Sequence, residues 1–322
     1  MEYGARSPQA TSTRESCSTF SGACNLGRMG LERSKEHGWK KDCCGDWGNK
    51  GIGYGIMKEL CAKFDGVVYL TARDEGRGLA AVEDLKKLGF APRFHQLDID
   101  NADSISKFTS YIKNTYGGLD VLVNNAAIAY KMAATESFGE QAENTIRVNY
   151  FGTLALCRSL FPLLRPHARV STVSSSAGHL SRINGNEPQA SALREKFASP
   201  SLTEEELSDL MNQFVEKAKE GKWKEAGWPS STYVVSKVGV SALTRIQQRA
   251  FDADPREDLV VNCAHPGYVD TDMTSHKGPL TIEQGAVAPS YLALLPPNIK
   301  EPKGAYLWYE KQVVDWVKGP MP

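Results

Sequence analysis

The sequence predicts a single α/β domain built on a doubly wound parallel sheet. Three observations carry that expectation. From residue 51 onward, short β-branched runs alternate with helical patterns. Each run is nearly continuous in apolar residues, as a strand covered by helices on both faces must be. A glycine-rich turn, Gly48-Asn49-Lys50-Gly51-Ile52-Gly53, opens the first helical pattern. At 322 residues the chain can bury one large core.

The strands are expected at "VVYLTA" (67–72), "RFHQLDI" (93–99), "LDVLVNNAA" (119–127), "ARVSTVSS" (168–175) and "LVVNCAHPG" (259–267). Helices are expected over 74–88, 101–115, 137–165 and 231–252. In sheets of this type ligands gather beyond the carboxyl ends of the strands. The residues there are Arg73, Asp98 with Ile99, Asn125, Ser175 and Pro266-Gly267, and chemistry is expected among them.

One segment, 179–230, interrupts the alternation and reads as an insertion. Within it, "TEEELSDLMNQFVEKAKEG" is an amphipathic helix. Thr203 and Glu206 form a capping box, Leu207, Leu210, Met211, Phe214, Val215 and Ala218 repeat at helical spacing, and Gly221 closes the helix. Such a stripe is more often packing than a ligand site, so the insertion is expected to dock on the body.

Lys+Arg and Asp+Glu balance at 38 each, with no basic stripe, which argues against a nucleic-acid partner. No run approaches the roughly eighteen apolar residues of a membrane span. The early "SPQATSTRES" is polar where a secretion signal needs an apolar stretch. A soluble, cytoplasmic protein without a membrane partner is expected. The seven cysteines lie at 17, 24, 43, 44, 61, 157 and 263, with no C-x-x-C pair. They read as free thiols in a reducing compartment, and no metal site is expected.

Tyr233 and Lys237, in "YVVSK", sit at i and i+4 on one helical face. A phenol ionises near pH 10, so a neighbouring ammonium, together with a cationic nicotinamide ring, should favour the phenolate and bring it toward a working range. Helices produce this spacing often, and the pair gains force from Ser175, whose hydroxyl could hydrogen-bond a carbonyl. Asn149, in "RVNYFGT", lies where a helix has little use for an amide and could anchor a water that relays protons through Lys237. Duller readings stand beside these. Arg73 could be a surface charge, Asn149 could cap a local turn, and Ser174 or Ser176 could replace Ser175. Cys263 and His265 read as packing.

"GNKGIG", "LTAR", "LDID", "DVLVNNAA", "VNYFGT", "VSSSAG", "YVVSK" and "HPGYVDTDM" follow the order of the short-chain dehydrogenase/reductases, whose fold is Rossmann-like. The insertion resembles that of the monomeric, NADPH-dependent carbonyl reductases, and the resemblance covers about residues 48 to 317. It implies an oxidoreductase that reduces a small carbonyl substrate (a quinone, aldehyde or ketone) with NADPH, as a monomer. Alternatives are NADP-dependent alcohol oxidation and a catalytically impaired, nucleotide-sensing or partner-binding homologue. The resemblance assigns Asn149 as water-relay anchor, Ser175 as carbonyl orienter, Tyr233 as general acid and base, and Lys237 as its electrostatic partner. Asn49, Lys50, Gly51, Ile52 and Gly53 would receive the pyrophosphate. Arg73 stands where NAD-preferring relatives carry an acid, and with Lys50 it suits a 2′-phosphate. Asp98 and Ile99 would lie at the adenine, Asn125 beside the adenosine ribose, and Pro266, Gly267, Val269 and Thr271 at the nicotinamide. Ala127 departs from the family's usual glycine, and His265 stands where related carbonyl reductases often carry cysteine.

The start of the domain departs further. The family places an apolar strand and Thr-Gly ahead of the glycine loop, and this chain has "WKKDCCGDW". Trp47 falls where the backbone must turn tightly, and Asp46 adds an anion close to a pyrophosphate. The codons for Cys43 to Gly48, shifted by one base, can be read as Ala-Val-Val-Thr-Gly. Phase returns before Asn49 if one base is missing from the G-rich run. Residues 1–47 are therefore expected to be an aberrant, disordered, out-of-frame segment, with the reductase domain over 48–322. The alternative is a genuine N-terminus whose codon phase matches by chance.

Overall fold

Parallel strands fill most of an eight-stranded sheet in the order β3-β2-β1-β4-β5-β6-β7-β8. The strands are β1 (Asp42–Gly45), β2 (Val67–Ala72), β3 (Arg93–Gln96), β4 (Leu119–Asn124), β5 (Leu164–Val173), β6 (Val260–Ala264), β7 (Tyr306–Leu307) and β8 (Val313–Val314). Only β8 runs antiparallel to its neighbour. The computed structural model describes the backbone of residues 42–45 and the whole of residues 50–131 and 133–322. Asn49, the Asp46-Trp47 misfit and the segment 1–41 lie outside the described residues.

Helices cover both faces. They are α1 (Gly51–Lys63), α2 (Glu75–Lys87), α3 (Ala102–Tyr116), α4 (Phe138–Ile146), α5 (Thr153–Leu160), α6 (Gln189–Ala198), α7 (Glu204–Lys219), α8 (Thr232–Asp252) and α9 (Ile282–Ala293). The strand period explains the two layers. In β4, Val121 and Val123 join the cluster under α1, α2 and α9, whereas Leu122 joins the cluster under α3 and α5. Short polar side chains start most helices. Asp74, Asn101, Ser137, Thr203, Ser231 and Thr281 each accept a backbone N–H at an N-terminus. The capping box read at Thr203 and Glu206 is present.

The insertion forms α6 and α7, and its apolar stripe docks on the body as expected. Leu207, Leu210, Met211, Phe214 and Ala218 share one buried cluster with Ala142 and Ile146 of α4 and Val235, Val238 and Ala242 of α8. Trp228 anchors it, with ring centroids 5.3 Å from Phe214 and 6.1 Å from Phe197.

Three expectations are corrected. The aberrant segment expected to end at residue 47 contains a strand. Asp42–Gly45 pairs in parallel with β2 on one side and β4 on the other. Backbone hydrogen bonding does not read side chains, so the position next to the glycine turn is filled whatever residues occupy it. The helix expected over 137–165 is broken. A π-helical turn, Arg147–Gly152, separates α4 from α5, a 3-10 turn with Pro162 follows, and β5 begins at Leu164. β2 spans the residues read for it, whereas β3, β4, β5 and β6 stop earlier than read, because their polar tips leave the ladder to form the loops of the site. No sequence pattern forecasts α6, α9, β7 or β8.

At the opposite end of the sheet, Arg169 and Asp258 form a buried pair, 2.7 Å apart and 3% and 5% exposed. Arg169 also donates to the carbonyls of Leu295 and Pro296. Burial alone would raise the Asp258 carboxyl, yet Arg169, the Asn298 N–H and His167 together hold it at about 2. A carboxyl depressed in the folded state adds stability above its unfolded value near pH 4, and that contribution is lost as pH falls toward 2. Asp258→Ala should therefore cost about 3 kcal/mol at neutral pH, by stranding Arg169. Urea unfolding at several pH values should show a smaller acid loss in the variant than in the wild type. An equal loss would place the acid-sensitive groups elsewhere.

Candidate active site

The carboxyl ends of β2, β4, β5 and β6 bring the expected residues to one edge of the sheet. The start of α1 is chemically unfinished. Its N-cap, Lys50, is extended (φ −161°, ψ 170°) and supplies no side-chain cap, and the first turn holds no acid. The N–H groups of Ile52 and Gly53 in that turn thus present positive dipole with no acid in the turn itself. Gly51 has φ +55°, and a Cβ there would meet Thr271 Cγ2 at 3.3 Å. Glycine lets the turn approach the loop after β6 that closely. Lys50 Nζ lies 2.6 Å from Asp272 Oδ2 across the same gap. Both side chains are more than half exposed, so this pair is weak and Lys50 stays available to a stronger anion.

Arg73 follows β2 and is exposed, while its carbonyl accepts from Gln96 Nε2 at 2.9 Å. Asp98 Oδ1 accepts the Asp100 N–H at 3.1 Å, and the Asp98 N–H donates to Ser104 Oγ at 2.9 Å. Ile99 is buried, with its carbonyl 2.9 Å from where a Cβ on Gly152 would lie. Asn125 leaves the end of β4. Pro266 to Thr271 continue from β6 and fold back, with Val269 bridging to Leu280 and the Thr271 N–H donating to Thr274 Oγ1 at 3.1 Å. An anionic dinucleotide with a further phosphate on one ribose fits this edge: an uncapped helix start, two cations and a tight glycine turn.

Ser175 and Tyr233 meet. Ser231 caps α8 and places Tyr233 in its first turn. Ser175 follows β5 in extended conformation (φ −170°, ψ 163°), and its hydroxyl hydrogen-bonds the Tyr233 phenol. Lys237 is 3% exposed, and its Nζ donates to the Val173 carbonyl at 2.7 Å and lies 5.8 Å from the Tyr233 ring centroid. Asn149 occupies the π-helical turn, which accounts for an amide at that point in a helix. Its Oδ1 accepts the Ile128 N–H at 2.8 Å, and its Nδ2 donates to the Ile128 carbonyl at 2.9 Å and to Ser236 Oγ at 3.0 Å. The amide clamps the loop after β4 to α8.

Protein surrounds the phenol of Tyr233 although part of the ring meets solvent, and burial pushes it up to about 12, with only the Ser175 hydrogen bond pulling down. The packing reading of Cys263 and His265 agrees with their surroundings. Burial pushes the Cys263 thiol up to about 11 and the His265 imidazole down to about 4, and the His265 ring centroid lies 4.4 Å from that of Trp308. Sequence reasoning missed Ser236, whose hydroxyl donates to the Tyr233 carbonyl at 2.8 Å, and Tyr306, whose phenol donates to the Ser175 carbonyl at 2.6 Å. The serine in "YVVSK" was visible; Tyr306 carried no local signal.

The pattern of the short chain dehydrogenase family matches residues 48–213, and the chain belongs to that family. Carbonyl reductase (NADPH) 1 of Rattus norvegicus is 47% identical over 269 residues, covering 83% of this chain and 95% of the relative. Carbonyl reductase (NADPH) 3 of the same animal is 48% identical over the same shares. Among solved structures, salutaridine reductase from Papaver somniferum superposes with a TM-score of 0.73 at 31% identity, covering 83% of this chain and 99% of that one.

Proposed function

We propose that the protein reduces carbonyl compounds to alcohols with NADPH, through Tyr233, Ser175, Lys237 and Asn149. The hydrogen bond between the Ser175 hydroxyl and the Tyr233 phenol is the observation that carries this reading. Bound NADPH supplies the hydride. Tyr233 gives its phenolic proton to the substrate oxygen, and Ser175 hydrogen-bonds the same oxygen and holds it in line. Lys237 supplies positive charge near the phenolate left behind and is the route for its reprotonation. Asn149 fixes the loop after β4 against α8 and so keeps Lys237 in register. Lys50 and Arg73 bind the 2′-phosphate, the first turn of α1 with Asn49 takes the pyrophosphate, and Asp98, Ile99, Asn125 and the 266–271 loop hold the remainder. Quinones, aldehydes and ketones are the proposed substrates.

The protein is proposed to work as a cytoplasmic monomer. Among the described residues no helix is long and apolar enough to cross a membrane. The insertion supports a monomer because α7 covers the faces of α4 and α8 that would otherwise be open to a second copy. Residues 1 to about 48 are proposed to come from a frame error, supported by the codon phase and by the poor turn chemistry of Asp46 and Trp47. Sequencing the transcript across this junction decides it, since an intact frame in the genome would remove the proposal.

Tyr233→Phe should lower turnover by about a hundredfold or more while NADPH binding survives, because the ring still packs but cannot donate. Near-normal activity in the folded variant would refute the assignment. Arg73→Asp should weaken NADPH relative to NADH by about 2 kcal/mol, as a cation is lost and the 2′-phosphate repelled. An unchanged ratio would mean that Arg73 does not meet the cofactor. Light scattering at micromolar concentration should give the monomer mass, and a stable dimer would contradict the covering role of α7.

A further inference from the structure

The turn that carries Ser175 is held by the C-terminal hairpin, far away in sequence. β7 pairs with β6, Tyr306 against Cys263 and Leu307 against Ala264. The pairing continues past the strand, where the His265 N–H donates to the Leu307 carbonyl at 2.8 Å. Tyr306, 3% exposed, is thereby fixed with its phenol at the Ser175 carbonyl, which it meets at 2.6 Å. That carbonyl also accepts the Gly178 N–H at 2.8 Å. Three residues on, the Gly178 carbonyl accepts Trp316 Nε1 at 2.6 Å, and Trp316 is 4% exposed. The turn has no spare room: a Cβ on Gly178 would stand 2.3 Å from Ser174 Oγ and 2.9 Å from the Lys237 carbonyl. Two indole and phenol donors from one hairpin thus press the Ser175–Gly178 turn against α8, which carries Tyr233 and Lys237.

We infer that Tyr306 is a positioning residue for catalysis, its hydroxyl holding the Ser175 backbone so that the Ser175 side chain stays on the Tyr233 phenol. The inference rests on the roles proposed above for Ser175 and Tyr233. Burial pushes the Tyr306 phenol far up, so it remains a donor at any working pH. The Ser175 hydroxyl is the group that pulls the Tyr233 phenol down from its buried value. Loss of Tyr306's grip should therefore appear in the acidity of Tyr233 as well as in rate.

Tyr306→Phe keeps the ring and removes only the hydroxyl. For the full-length variant, kcat should fall about five- to tenfold, the size of one net hydrogen bond, with NADPH affinity unchanged. The alkaline limb of its kcat–pH profile should move to higher pH, because Tyr233 becomes a weaker acid. A merely structural tyrosine would lower melting temperature without moving that limb. A wild-type kcat and an unmoved limb in folded Tyr306→Phe would overturn the inference. Should that variant not fold, Trp316→Phe, which removes the second donor to the turn, must show the same shift, and an unmoved limb there would overturn it too. Tyr233→Phe measured alongside separates the two levels. If it stays active, the site assignment itself falls. If it is inactive while Tyr306→Phe matches the wild type, only the positioning role falls.

Discussion

The site depends on a central strand that must hydrogen-bond on both sides. β1 pairs Cys44 with Tyr69 of β2 and with Leu122 of β4, so it sits between the two halves of the doubly wound sheet. The chain then reaches Gly51 at positive φ and starts α1 beside the loop that follows β6. If β1 moves, the uncapped end of α1 moves with it, and so does the seat of an anionic cofactor. Yet the residues in this position are Asp42, Cys43, Cys44 and Gly45. Aspartate and glycine are both poor strand formers. Topology demands a strand here that composition does not favour.

The end proposed as catalytic shows a second tension, between burial and acidity. A proton donor must be shielded from water to act on one substrate, and the same shielding makes Tyr233 a weaker acid. Ser175 offsets part of this by direct hydrogen bonding. Lys237 stands ready but is engaged at the Val173 carbonyl. The remaining drive toward proton release has to arrive with the ligands, which ties the phenol's strength to an occupied site. Asn149, Ser236 and Tyr306 all act on the backbone around these groups, so the site's geometry is set from three separate elements.

What the sequence showed and what it hid follow from the range of the interactions. The strand tips at Arg73, Asp98, Asn125, Ser175 and Pro266 were legible because apolar runs end there and parallel sheets put ligands at those ends. Tyr233 and Lys237 were legible because one helix fixes their spacing. The insertion helix announced itself through its capping box and its apolar stripe. The π-helical turn at Arg147–Gly152 was invisible, since one extra residue in a turn barely disturbs a helical period. β7 and β8 have two residues each and show no alternation to count. Tyr306 reaches Ser175 across 131 positions of chain, which no local pattern reports. The strand at Asp42–Gly45 was hidden for the opposite reason: its composition is unlike a strand, while its neighbours β2 and β4 leave a ladder that only a strand can fill.

The central strand is tested most directly by repairing it. Residues 43–47 would be replaced by Ala-Val-Val-Thr-Gly behind an apolar lead-in, with the upstream segment removed. Melting temperature and NADPH affinity would then be compared with those of the chain as it stands. If β1 limits the molecule, both should rise together, because one strand supports the sheet and aims the start of α1. A chain that already melts cooperatively at an ordinary temperature and binds NADPH tightly, with no gain on repair, would contradict that dependence.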